Sequence, residues 1–226
     1  HLGTMPLPRN EMSPARASQM TPHHLPLPKR LSILKMNILS KIVDVKKQEI
    51  AALYQQHELS VLRDKCLEQS ANTPNRTPLF YQALAKNRKA GQPFFITEFK
   101  RKSPSEGWIN QHADLPAQLN AYTRSGAGAI SVLTDTGFFG GSYDDLLLAA
   151  ETLRQHDQAH RPLLLQKDFI LDPIQIYLAR LHGADMILLI AAILEAPELD
   201  FLKQTAESLG MGVLVEVHDQ EELDKI

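Results

Sequence analysis

Apolar residues at Ile38, Leu39, Ile42, Val45, Ile50 and Leu53 keep helical spacing, with Lys41, Lys46, Lys47 and Glu49 between them. That pattern predicts an amphipathic helix. A polar stretch at 70–77, containing Asn72, Pro74 and Asn75, ends the pattern before a second short helix predicted at 78–89. After Gln92 short apolar runs alternate with helical patterns, the texture of repeated strand and crossover-helix units. Strands are predicted at 94–100, 129–135, 162–168, 186–193 and 213–219, each nearly all apolar, as in a parallel sheet covered on both faces. Ser142 with Asp145, and Asp219 with Glu222, have capping-box spacing, and Asp172 before Pro173 supplies a cap and a first helical residue. Gly126, Gly183 and Gly210 each precede a strand, where a residue tolerating positive φ lets the helix end and the chain turn. Strand starts roughly 24 to 35 residues apart suit the eightfold barrel of parallel strands, of which five units are predicted here. The expected fold class is therefore α/β, a TIM (β/α)8 barrel with about its first five units present and an N-terminal helical extension. The expected domains are a disordered leader at 1–35, the extension at 36–91 and the partial barrel at 92–226.

Alternation along the strands brings chemistry into the picture. Side chains two apart share a face, so Ile96, Glu98 and Lys100 point inward from the first strand, Leu163, Leu165 and Lys167 from the third, and Leu214 and Glu216 from the fifth. Function in such barrels sits at the carboxyl ends of the strands, which is where these charges fall. Charges in a packed interior are costly unless they pair or bind something. Two readings fit the spacing: a site, or a structural network in which two acids and two lysines neutralise one another.

Composition narrows the classes. A formal net charge of -2 exerts no global pull on nucleic acid or an anionic membrane, so any anion must be held by a local cluster. The apolar fraction of 43% suffices for a substantial core. The most apolar run, 186–194, is far shorter than the roughly 20 residues of a membrane-spanning helix. Cys66 is the only cysteine, which excludes an internal disulfide and makes the cytoplasm the expected setting. The leader holds six of the fourteen prolines and no hydrophobic period, and a basic targeting peptide is the other reading of its Arg9, Arg16, Lys29 and Arg30. Gly126 and Gly128 follow a helix and precede a strand, the reverse of a dinucleotide-binding turn, and the histidines lack metal-ligand spacing.

The run from Ile96 through Glu98, Lys100, Lys102, Ser103 and Pro104 to Gly107 resembles the first-strand signature of the indole-3-glycerol-phosphate synthases. The run from Lys167 and Asp168 through Phe169 to Ile176 is similar to their third-strand signature. The block 129–146, with Phe138-Phe139-Gly140-Gly141-Ser142 inside it, resembles their second strand and loop, and 210–223, with Glu216 and His218, their fifth strand. The segment from Ile38 to Val43 looks like their opening helix, so the resemblance excludes only the leader. It implies ring closure of 1-(2-carboxyphenylamino)-1-deoxyribulose 5-phosphate, with loss of carbon dioxide and water, and neither a metal nor an organic cofactor.

By that resemblance Lys167 is the general acid at the ketone oxygen, Lys100 pairs with the substrate's carboxylate, Glu216 is the base of the dehydration and Glu98 orients the lysines. Pro104, Leu133, Phe139, Phe169, Leu188 and Ile190 match positions lining the family's apolar pocket, and each equally suits core packing. Lys102 and Ser103 are candidates for the substrate's phosphate or carboxylate. Trp108 is placed either at substrate or in loop packing. The family's elements after strands six, seven and eight have no counterpart before Ile226. Poor activity in isolation is therefore expected, with fusion to or association with a second barrel of tryptophan biosynthesis as the implied partner. The rival readings are an inactive or partner-dependent barrel fragment and another phosphate-binding barrel, such as phosphoribosylanthranilate isomerase or a Schiff-base aldolase using Lys167.

Overall fold

The computed structural model describes residues 27–71, 78–158 and 161–226. Most of the expected leader and of the polar stretch at 70–77 lies outside the described residues. Ile42–Ile226 forms one compact unit.

The helical spacing that begins at Ile38 belongs to α1 (Leu27–Gln56), followed by α2 (Leu59–Ala71) and α3 (Leu79–Ala90). Gly91, with φ of 63°, closes α3 in the left-handed conformation, its N–H reaching back to Arg88. Then come β1 (Ile96–Phe99), a small hairpin of β2 (Lys102–Ser103) and β3 (Gly107–Trp108), and α4 (Leu115–Arg124). Strand and helix alternate from there: β4 (Ala129–Leu133), α5 (Tyr143–Arg154), β5 (Leu163–Lys167), α6 (Pro173–Leu181), β6 (Met186–Ile190), α7 (Ala196–Ser208), β7 (Gly212–Glu216) and α8 (Gln220–Leu223).

The five long strands pair in parallel in the order β1-β4-β5-β6-β7. Unbroken sequential order with a helix after each strand is the construction of a (β/α)8 barrel, of which the chain carries five consecutive units. The caps sit where the spacing places them. Ser142 accepts from the N–H of Asp145, Asp219 from that of Glu222, and Asp172 forms a capping box with Gln175. Every strand ends one to three residues earlier than expected, β6 at Ile190 and β7 at Glu216 by the most, and Ala191–Ile193 is a 3-10 turn. Ala191 and Ile193 still pack in the core, so the apolar run outlasts the strand and hides its end.

Strand alternation divides the core in two. Ile130, Val132, Leu164, Ile187, Leu189 and Val213 pack outward against the helices. Ala129, Leu163, Leu165, Met186, Leu188 and Ile190 face inward, with Phe80 of α3 among them. Gly212 makes room for that ring, since a Cβ there would stand 2.5 Å from the Cβ of Phe80. Each fully buried leucine or isoleucine of these layers contributes about 1.5–3 kcal/mol relative to exposure. β1 and β7 are edge strands, and at the start of the first of them Phe95, just before it, and Ile96, its first residue, are 59% and 38% exposed. Among the described residues no helix is long and apolar enough to cross a membrane.

Candidate active site

Glu98 lies near the carboxyl end of β1, with Lys100 just beyond it and Lys167 the last residue of β5. β4 runs between these strands, pairing Glu98 with Ser131 and Leu165 in turn with Ser131, so Glu98 and Lys167 are brought together across the small Ser131 side chain. The carboxylate of Glu98 is shared. Its Oε1 stands 2.8 Å from Nζ of Lys100, and its Oε2 accepts from Nζ of Lys167 at 2.8 Å. All three side chains remain about one-third exposed, so the cluster is open to a ligand. One carboxylate between two ammonium groups leaves a local excess of one positive charge, suited to an anionic substrate.

Burial alone would push the Glu98 carboxyl up, but hydrogen bonds from Lys100 and Lys167 and their charges outweigh it and hold the group below its ordinary value of 4.5. A carboxyl depressed in the folded state contributes stability that is present above its unfolded value and lost as pH falls through the folded one. The two-lysine bridge should therefore persist through neutral and mildly acidic pH and release only below 4.5. A carboxyl-carbon NMR titration of Glu98 checks this, and a midpoint at or above 4.5 would contradict it.

Glu216 ends β7 opposite Ile190 on the same inner face. Its Oε1 stands 3.4 Å from Nε2 of His218 rather than beside either lysine. Leu188 and Ile190 are buried in the inner cluster and Leu133 is buried at the end of β4, with Leu133 level with Lys167 and Ile190 level with Glu216. Phe139 and Phe169 come from different loops and pair, ring centroids 5.9 Å apart. Pro104 is exposed at the hairpin turn. Ser103 is buried, with its hydroxyl 3.2 Å from that of Ser105 and accepting from the N–H of Glu106. Lys102 donates to the carbonyl of Gly137 at 2.8 Å and lies 5.6 Å from the centre of the Trp108 ring. Lys102 and Trp108 thus hold the hairpin against the loop after β4, and Ser103 braces the hairpin turn itself.

A second charged cluster was not legible in the sequence. Lys46 of α1 is 3% exposed and stands 3.0 Å from Asp135 and 2.9 Å from Asp168, with Glu49 also in contact. A cavity of about 250 Å³ lies beside it, lined by Lys46, Ile50, Thr134, Tyr143, Asp168 and Gln175 rather than by the lysines of β1 and β5. Helical periodicity put Lys46 on the polar face of its helix, which reads as solvated. The signal in the sequence was an acid at the carboxyl end of each of two largely apolar runs, Asp135 at the end of 129–135 and Asp168 at the end of 162–168, where a charge must find a partner.

Residues 39–226 match the family model described as "Indole-3-glycerol phosphate synthase". An indole-3-glycerol phosphate synthase of Albidiferax ferrireducens is 44% identical over 189 residues, covering 83% of this chain and 66% of that protein. One of Burkholderia vietnamiensis is 43% identical over 192 residues, covering 84% and 67%, and one of Bacillus mycoides is 43% identical over 187 residues, covering 83% and 64%. The chain thus spans about two thirds of the length of the curated relatives it matches. A solved structure, tryptophan synthase subunit alpha from Legionella pneumophila, is similar over 64% of this chain and 61% of its own, at a TM-score of 0.43 and 16% identity.

Proposed function

This chain belongs to the indole-3-glycerol phosphate synthase family, and on that premise we propose that it contributes the catalytic strands for closing the indole ring of 1-(2-carboxyphenylamino)-1-deoxyribulose 5-phosphate. The observation that supports this most is the Glu98 carboxylate held between Lys100 and Lys167 at 2.8 Å each. Two ammonium groups at that spacing can serve two anionic points of one small molecule.

In the first step the ring carbon bearing the carboxylate attacks the ketone carbon, and the new bond takes its electron pair from the ring. The ketone oxygen becomes a hydroxyl with a proton from Lys167. Lys100 holds the carboxylate until carbon dioxide leaves, returning an electron pair to the ring. Lys167, reprotonated from solvent, gives a proton to this hydroxyl as it departs as water, and Glu216 removes a proton from the adjacent methylene carbon and later releases it to solvent. Glu98 fixes both ammonium groups. Phe139 and Phe169 supply the aromatic wall, Leu133, Leu188 and Ile190 the floor, and Lys102, Ser103 and Pro104 the hairpin side. No metal or organic cofactor is needed, and the cytoplasm is the proposed setting.

The test is ring closure by a polypeptide carrying this chain at its relatives' full length, read as indole fluorescence with one carbon dioxide released per turnover. Substrate left unchanged would sink the reading, and borohydride trapping of a carbonyl compound on Lys167 would replace it with a Schiff-base reaction. A second reading is favoured by the edge strands β1 and β7: a partner polypeptide supplies further strands there. Size-exclusion chromatography separates the two, a compact monomer counting against the partner.

A further inference from the structure

We propose that Lys46 is a positioning residue for the substrate's aromatic ring: its buried ammonium ties Asp135 to Asp168 and so sets the Phe139–Phe169 pair. The inference rests on the proposed reaction only for the identity of the ring that the pair receives.

Each acid organises the loop that carries one phenylalanine. Asp135 Oδ1 accepts from the N–H of Phe138 at 2.7 Å and from that of Phe139 at 3.2 Å. Asp168 Oδ1 accepts from the N–H of Phe169 at 2.7 Å, and its Oδ2 accepts from the hydroxyl of Thr134 at 2.6 Å. Two carboxylates this deeply buried, 0% and 3% exposed at the side chain, would repel one another if left alone. Asp135 Oδ2 receives no directed hydrogen bond, so the charge that balances it is Nζ of Lys46, 3.0 Å away. The same Nζ stands 2.9 Å from Asp168 Oδ1. One ammonium therefore links the ends of two neighbouring strands, and the two rings meet at 5.9 Å. Asp168 also directly follows Lys167, so the clamp fixes the backbone from which the proposed acid projects.

A structural ion pair would need only one acid, and Glu49 on the same helix could serve. What singles out this arrangement is that both acids hold main-chain N–H groups of the aromatic pair. Trp108, the only tryptophan, reports on the first loop, because a Cβ on Gly140 would come within 2.9 Å of its ring.

The chain itself can be tested with Asp135→Asn and Asp168→Asn, which keep volume and an accepting oxygen but remove one charge. Asp135→Asn should increase acrylamide quenching of Trp108 and Asp168→Asn should leave it unchanged, while both abolish the nuclear Overhauser effect between the labelled rings of Phe139 and Phe169. Lys46→Arg should retain that effect. If either asparagine variant fails to fold, Lys46→Met combined with both substitutions removes all three charges and should abolish the effect with the sheet intact. A ring-to-ring Overhauser effect preserved in every folded variant overturns the clamp. At the relatives' full length, Asp135→Asn should raise KM about tenfold with kcat nearly unchanged, a split that a loss of stability alone does not produce, whereas Asp168→Asn should also lower kcat because Asp168 anchors the backbone of Lys167. A wild-type polypeptide without turnover, whose Phe139 and Phe169 rings nevertheless separate on substitution of either acid, would reject the proposed reaction and leave the clamp standing.

Discussion

Lys167→Ala, in a polypeptide of the relatives' full length, should lower kcat about 10²–10⁴-fold while substrate still binds. The size follows from the role: a proton donor positioned at the oxygen that gains charge acts mainly in the transition state, so its removal appears in kcat more than in KM. Alanine also leaves Lys100 beside Glu98, so the ammonium that contacts the substrate's carboxylate is kept and accounts for the retained binding, although the local charge falls from one positive to neutral. Lys167→Arg should rescue little, because a planar guanidinium with a far higher pKa gives up its proton poorly. Single-turnover measurements separate binding from chemistry. Turnover within tenfold of wild type for Lys167→Ala would remove this residue from the acid role.

The sheet was readable because its strands are apolar runs separated by explicit helix caps, such as Ser142 and Asp172, whose hydrogen bonds the structure contains. Strand starts were placed to within about two residues, whereas the ends of β6 and β7 were each set three residues too late, in β6 because Ala191 and Ile193 remain apolar after the backbone has turned. The bridge through Glu98 could be anticipated from parity, because period-two alternation puts it on one face with Lys100 and Lys167. Glu216 shares that face but turns to His218, a local choice between a neighbour and a distant lysine that parity does not decide. The Lys46 cluster escaped for a different reason. It joins α1 to two loops more than eighty residues away, and no periodicity within one element predicts which polar position will be covered by another.

That coverage makes Lys46→Met the substitution with the largest expected cost to stability. Methionine fills the same volume but leaves Asp135 and Asp168 buried without their counter-ion, and breaking a buried pair in this way costs about 3–5 kcal/mol. Against a typical total of about 5–15 kcal/mol, such a loss brings the domain close to unfolding and should be plain in a urea titration. Substituting both acids by asparagine in the Lys46→Met background should recover much of the loss, since no uncompensated charge then remains. The pH dependence has a definite sign. Burial by itself lowers the Lys46 pKa, but Asp168 and Asp135 outweigh it and raise the ammonium above its ordinary value of 10.5. A cation stabilised in this direction contributes fully below 10.5 and loses its contribution as pH rises through the folded value. Wild type should therefore lose stability relative to the charge-free triple variant in strongly alkaline solution and keep its advantage at neutral pH. Equal urea midpoints for wild type and Lys46→Met at neutral pH would show that the ammonium is not what holds the two loops.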